Sequence, residues 1–216
     1  MSAVFVTGTD TGVGKTYVAC LLARALRARG RRVAVLKPVE TGVEREPEDA
    51  LRLRDAAADS APLDDVCPYR LRAPLAPAVA AAAEHVAIDV QRIASLIRRR
   101  AAESDVLLVE GAGGLLVPVD DRTTWADLAA SLDLPLLIVA ANRLGTVNHT
   151  ALTASVAKAT HLRVHGFVLS HPTPTTDESA TTNAATIRAL THLRCLGVIQ
   201  HGAGEDALDV DAAVGG

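Results

Sequence analysis

The sequence predicts a three-layer α/β/α doubly wound fold around a mostly parallel sheet. Three observations carry that reading. Apolar runs of strand length alternate with amphipathic runs of helix length. Most of the strand-like runs, such as Val106-Leu107-Leu108-Val109 and Leu136-Leu137-Ile138-Val139, are apolar throughout, as strands covered on both faces must be. A glycine-rich loop, Gly8 to Thr16, joins the first such strand to the first such helix. The expected strands are 3–7, 33–37, 105–109, 135–140, 164–169 and 195–199. The expected helices are 15–29, 48–58, 89–103, 124–131, 146–160 and 178–192.

The 216 residues fit one domain, 1–216. Aromatic residues make up 2% of the chain and hydrophobic residues 49%, so the core is built of Ala, Val and Leu. A net charge of −3 offers no footprint for nucleic acid and no basic patch for a membrane. Cys20, Cys67 and Cys195 are far apart and odd in number, so neither a disulfide framework nor a paired-cysteine metal site is expected. With no signal peptide and no apolar run near eighteen residues, the expected location is cytoplasmic.

The first strand, Ala3-Val4-Phe5-Val6, leads into Gly8-Thr9-Asp10-Thr11-Gly12-Val13-Gly14-Lys15-Thr16, and Tyr17 to Arg29 reads as a helix. Strand, glycine-rich loop, Gly-Lys-Thr and helix form the P-loop arrangement, and the fold is of P-loop NTPase type. Glycines let backbone N–H groups approach a triphosphate. Lys15 supplies a point charge and the Thr16 hydroxyl a ligand for Mg²⁺. Gly8 and Gly14 enclose five residues where the usual motif has four. The dinucleotide fingerprint fails, because Tyr17 occupies its third glycine position.

Ligands of such sheets sit beyond the carboxyl ends of the strands. The second strand ends at Lys37-Pro38-Val39-Glu40-Thr41-Gly42, and the proline holds Lys37 extended. Lys37 is either a solvated strand end or a cation at the ligand edge. It is one of only three lysines among 22 basic residues, with Lys15 and Lys158, so arginine has been used almost everywhere else. Asp49 falls in the first turn of a helix, where it either caps the helix or reaches a metal. Residues 61–85, rich in Pro and Ala, are expected to form a loop over the sheet.

The third strand runs into Glu110-Gly111-Ala112-Gly113-Gly114. Glu110 either caps a turn or ligates Mg²⁺ in the manner of a Walker B acid. Asn142-Arg143-Leu144-Gly145 loosely matches the guanine-reading motif of GTPases, but its aspartate is missing. Gly145-Thr146 opens a helix whose free N–H groups suit a carboxylate or phosphate. The histidines are scattered, and metal binding is not expected of them. The tail from Ala203 to Gly216 is expected to be frayed.

Taken together, Gly8 to Thr16, Lys37-Pro38-Val39, Glu110 to Gly114, and Leu144-Gly145 with Asn148-His149 resemble the dethiobiotin synthetases. These are the ATP-dependent carboxylases of biotin biosynthesis. The resemblance covers most of the chain and is weaker over 43–85 and the tail. It implies that 7,8-diaminopelargonic acid, CO₂ and ATP react with Mg²⁺ to give dethiobiotin, ADP and phosphate. The route is a carbamate, then a carbamic–phosphoric anhydride, then closure of a cyclic urea. It implies catalytic roles for Lys37, Lys15 and Thr11. Nucleotide contacts fall on Gly12, Val13, Gly14, Lys15, Thr16, Tyr17, Glu110, Gly111, Ala112, Gly113 and Ser170. The substrate falls to Thr11, Lys37, Thr41, Gly145, Thr146, Val147 and Asn148, and the metal to Thr16, Asp49 and Glu110. It further implies a homodimer in which the start of the 145–148 helix holds the substrate carboxylate across the interface.

Three positions depart from the family pattern. Gly12 stands where glutamate is common, Ser170 where an asparagine reads adenine, and Gln200 where proline is usual. Serine is too short for the two-point contact to adenine, so weakened base selectivity is expected. A partition-type ATPase shares the P-loop but gives no reason for the Lys37 and Glu110 motifs. A cobyrinate-type amide-forming enzyme would need a further glutamine-hydrolysing domain, for which 216 residues leave no room.

Overall fold

A computed structural model describes residues 2–175, 177–204 and 207–215. The strands of its main sheet are β1 (Ser2–Gly8), β2 (Val33–Leu36), β5 (Val106–Gly114), β6 (Leu136–Ala141), β7 (Val164–Ser170) and β8 (Cys195–Ile199). Their order is β2-β5-β1-β6-β7-β8, and every pairing is parallel. The two short strands between, β3 (Val39–Thr41) and β4 (Tyr69–Leu71), pair with each other in a small parallel ribbon. All six strands expected from the sequence are present, and the register Phe5↔Val109 and Phe5↔Leu136 puts β1 at the centre.

Pleating divides the apolar strands between two cores. Val4, Val6, Val106 and Leu108 face one layer with α1 (Lys15–Ala28) and α2 (Glu48–Ala57). Phe5, Leu107 and Val109 face the other, with α5 (Val90–Glu103) and α6 (Trp125–Ser131). The large aromatic pair of the second layer is Phe5 and Trp125, with ring centroids 5.8 Å apart. Gly111 is required there, since a Cβ would come within 2.8 Å of the Phe5 ring. A third, smaller cluster, including Ile138, Phe167, Leu169 and Ile187, packs beneath α7 (Thr146–Ala159) and α8 (Asn183–Thr191).

Three expectations are corrected. Residues 61–85 are not a plain loop: they hold α3 (Leu63–Val66), β4 and α4 (Pro77–Ala83). Ala80 and Ala81 of α4 are buried, and an alanine-rich helix carries no polarity period to reveal it. The helix expected over 178–192 begins as a 3₁₀ turn, Glu178–Thr181, before α8. The tail is not frayed over 207–215. Asp209 caps α9 (Val210–Ala213) by accepting from Ala212 N, and Leu208, Val210, Ala213 and Val214 join the first core. Burial of those apolar side chains outweighs the chain entropy that frays most termini.

Candidate active site

The carboxyl ends of β1, β2, β5 and β7 open on one groove of about 900 Å³. Its floor is the glycine-rich loop. Gly14, at φ 85°, caps α1 without any side-chain bond, so the first N–H groups of that helix have no side-chain partner at their cap. Gly14 also lies against β7: a Cβ there would meet Ser170 Oγ at 2.8 Å. Gly8 is held close for the same reason, because a Cβ would stand 2.7 Å from the Asp10 carbonyl and 3.0 Å from Lys15 Nζ. Lys15 Nζ donates to that carbonyl at 3.1 Å. Burial foremost, and then the charge of Lys37, push the Lys15 ammonium down to about 8. An anionic ligand would relieve both effects.

Beyond the loop lies a buried charge cluster. Lys37, 4% exposed, donates to Glu110 Oε1 and to Asp49 Oδ2, the latter at 3.1 Å. Thr16 Oγ1 donates to the same Glu110 oxygen at 2.8 Å. Burial alone would lower the Lys37 ammonium, but Glu110 and Asp49 overcome it and hold the group above its ordinary value. Burial would raise Asp49, yet Lys37 keeps that carboxyl below its usual range. The cluster thus gathers Thr16, Lys37, Asp49 and Glu110 from α1, the end of β2, α2 and β5.

Glu40 sets Asp49 in place. Its carboxylate accepts from Asp49 N at 3.0 Å and from Ala50 N at 2.9 Å, capping α2 from β3. Burial raises the Glu40 carboxyl above its ordinary value. The sequence does not single Glu40 out; its only signal is a carboxylate two residues past Pro38, close before a helix start. On the other wall, Trp125 Nε1 donates to Ala112 O at 2.9 Å and steadies the Ala112-Gly113 stretch.

Among the described residues no group of three or more His, Cys, Asp and Glu side chains could hold a metal. Mg²⁺ asks for less, since it commonly takes one or two carboxylates and completes its shell with water and phosphate. Glu110 Oε2 is buried with no hydrogen-bond partner, beside Asp49 and the Thr16 hydroxyl. An orphaned carboxylate oxygen next to a second carboxylate and a hydroxyl fits a hard divalent cation.

Of the residues expected from the sequence, Thr11, Gly12, Gly14, Lys15, Thr16, Tyr17, Lys37, Thr41, Asp49, Glu110, Ala112, Gly113 and Ser170 line the groove. Val13 and Gly111 do not: Val13 turns its side chain into the core and Gly111 packs on Phe5. Gly145, Thr146, Val147 and Asn148 lie outside it, at the start of α7. Ser170 is in the groove, but its hydroxyl donates to the Val13 carbonyl. His171 also lines the groove, a position to which sequence reasoning assigns no role.

Comparison with known proteins agrees with this architecture. A family model described as an AAA domain matches residues 2–204. The chain is 50% identical over 200 residues to the ATP-dependent dethiobiotin synthetase BioD of Anaeromyxobacter dehalogenans (strain 2CP-C), covering 92% of this chain and 90% of that protein. It is 40% identical over 217 residues to the protein of the same name from Aromatoleum aromaticum, covering 98% and 96%. Among solved structures, chloroplast FtsY from Physcomitrella patens superposes with a TM-score of 0.52 at 19% identity, over 99% of this chain and 64% of that one. That likeness concerns the fold, which is of α/β P-loop NTPase type. Identity of this order over nine-tenths or more of both chains places the chain in the ATP-dependent dethiobiotin synthetase family.

Proposed function

We propose that this protein is the ATP-dependent ligase that converts 7,8-diaminopelargonic acid and CO₂ to dethiobiotin. The single observation that carries the reading is the buried Lys37 bonded to Glu110 and Asp49 next to the P-loop. Cradling a triphosphate calls only for the loop lysine and does not by itself require a second buried ammonium. A reaction that joins a carbamate to a triphosphate does, because two anions must approach each other.

One amine of the substrate adds CO₂ and loses a proton, giving a carbamate. A carbamate oxygen attacks the γ-phosphorus of ATP and ADP leaves. The second amine attacks the carbamoyl carbon of the mixed anhydride, phosphate departs, and the urea ring closes with loss of a proton. Lys15 and the N–H groups at the start of α1 hold the β- and γ-phosphates. Lys37 meets the carbamate and the transferred phosphoryl oxygens, with Thr11 and Thr41 as hydroxyl donors on the substrate side. Thr16, Asp49 and Glu110 would hold Mg²⁺, whose charge screens the phosphates when bound. Positioning of the two amines supplies much of the rest of the rate.

The reading includes a homodimer that completes the substrate site. Gly145, Thr146, Val147 and Asn148 start α7 outside their own groove, where a partner's substrate carboxylate could reach them. In support, Leu144 is 82% exposed and Leu152 58% exposed on or beside α7. Among the described residues no helix is long and apolar enough to cross a membrane, and a cytoplasmic location is proposed. Incubation with the diamine, bicarbonate, Mg²⁺ and ATP should yield dethiobiotin by mass. ATP hydrolysis without the cyclic urea would reject the reading.

A further inference from the structure

Lys37, Asp49 and Glu110 stand on the β2–β5 side of the P-loop, so the terminal phosphates of a bound nucleotide point that way. Its base must then extend toward β7 and β8, where Ser170, His171 and His201 line the groove. This step rests on the nucleotide-dependent reaction proposed above. Ser170 has little to give there, because its hydroxyl is spent on the Val13 carbonyl. His171 is held differently.

Asn142, at the end of β6, fixes the imidazole. Its Nδ2 lies 3.1 Å from the Ala180 carbonyl, which can only accept, so that atom is the amide nitrogen. Its Oδ1 accepts from Asn183 Nδ2 at 2.9 Å, which agrees. The second hydrogen of Asn142 Nδ2 faces His171 Nε2 at 3.0 Å. Nε2 must therefore accept, and the neutral ring carries its proton on Nδ1. The His171 backbone N donates to Ile199 O at 2.8 Å, so the residue is anchored at both ends. Among the described residues Nδ1 has no partner, while the residue is 6% exposed and lines the groove.

We infer that His171, locked in the Nδ1–H form by Asn142 and Asn183, is the residue that contacts the nucleobase, donating one hydrogen bond to an acceptor atom of the ring or its carbonyl. Every common nucleobase carries such an acceptor. A single donor therefore anchors the base without choosing adenine alone, which is how this chain manages without a two-point reader at Ser170. Asn142 and Asn183 are positioning residues that choose the tautomer.

Two measurements test this. In the ¹⁵N-labelled full chain, long-range ¹H–¹⁵N spectra should show one histidine, absent from the spectrum of His171→Phe, with a protonated Nδ1 and a bare Nε2. An Nε2–H form at His171 would overturn the inference, and assigning the ring through the His171 backbone resonances of the wild-type chain keeps this reading independent of how the variant folds. In titration calorimetry with Mg²⁺ present, His171→Phe should weaken ATP and CTP by roughly three- to tenfold each, the loss expected for one hydrogen bond. Its affinity for inorganic tripolyphosphate, which has no base, should be unchanged. Equal affinity of wild type and variant for both nucleotides would overturn the inference while leaving dethiobiotin formation intact. Loss of nucleotide affinity in a chain that makes no dethiobiotin would support the base contact and sink the proposed reaction.

Discussion

Lys37 and Thr16 both donate to one oxygen of Glu110, Oε1, and leave its other oxygen, Oε2, buried and without a partner. The arrangement ties the end of β2, the start of α1 and the middle of β5 into one charged unit. On the proposed reading Glu110 has two tasks, neutralising Lys37 and offering Oε2 to Mg²⁺. Removing the carboxylate should therefore damage fold and chemistry together. Glu110→Gln is expected to lose roughly 3 kcal/mol of stability, the scale of a broken buried pair, and at least about a hundredfold in kcat. Thermal or urea unfolding alongside steady-state kinetics checks both, and a variant with near-normal stability would show the pair to be dispensable.

Lys37→Arg separates charge from shape. The guanidinium keeps the positive charge but is larger and planar, in a space that holds a compact ammonium between two carboxylates. We expect a folded protein with kcat down by about a hundredfold or more, as for loss of one charge-stabilising donor. Circular dichroism establishes the fold and product formation the loss. Near-normal turnover would reduce Lys37 to a strand-end cation.

The buried Lys15 ammonium gives a pH signature in binding. Burial and the Lys37 charge push it down to about 8, so it is increasingly neutral above that pH in the free protein. A triphosphate favours the charged form, so binding above pH 8 must take up a proton. Tripolyphosphate affinity should fall as pH rises past about 8, approaching tenfold per pH unit. The sign for stability is the reverse. The unfolded lysine, near 10.5, binds a proton that the folded one lacks, so this group adds stability as pH rises from about 8 toward 10.5. Calorimetry in buffers of different ionisation enthalpy measures the proton uptake directly. No uptake at pH 8.5 would contradict the assignment.

Gly14 and Ser170 predict a loss that is steric. Gly14→Ala meets both a left-handed backbone at φ 85° and a contact of 2.8 Å with Ser170 Oγ. Stability should drop by about 1–3 kcal/mol and triphosphate affinity with it. Adding Ser170→Ala removes the clashing hydroxyl and should restore part of the loss. Because the Ser170 hydroxyl serves the Val13 carbonyl rather than a base, kcat/KM for ATP, GTP, CTP and UTP should lie within about a hundredfold of one another, or some 2.7 kcal/mol. A larger preference for ATP would contradict weakened base selectivity.

Much of the groove was legible because its residues announce themselves locally. Gly8 to Thr16, Lys37-Pro38 and Glu110-Gly111 each combine a strand end with an unusual residue type. The unforeseen parts depend on contacts between distant segments. Glu40 becomes important only when β3 lies across the start of α2. The Asn142–His171–Asn183 chain joins residues up to 41 positions apart, and only Asn142 stands near a known motif, the incomplete guanine-reading pattern, which does not point to this contact. Strands β3 and β4, three residues each, are too short to show a period. The buried tail has small apolar side chains among acidic ones, and its composition pointed to solvent.

The central claim is that a carbamate oxygen attacks the γ-phosphorus beside Lys37, and the fate of that oxygen tests it most directly. With ¹⁸O-labelled bicarbonate, ATP and the diamine, in a reaction short against exchange with water, each dethiobiotin formed should release one phosphate carrying one ¹⁸O from the bicarbonate. A second labelled oxygen should remain in the urea carbonyl. Phosphate without label, formed alongside product or without it, would mean that water or another route opens the triphosphate, and would contradict the account.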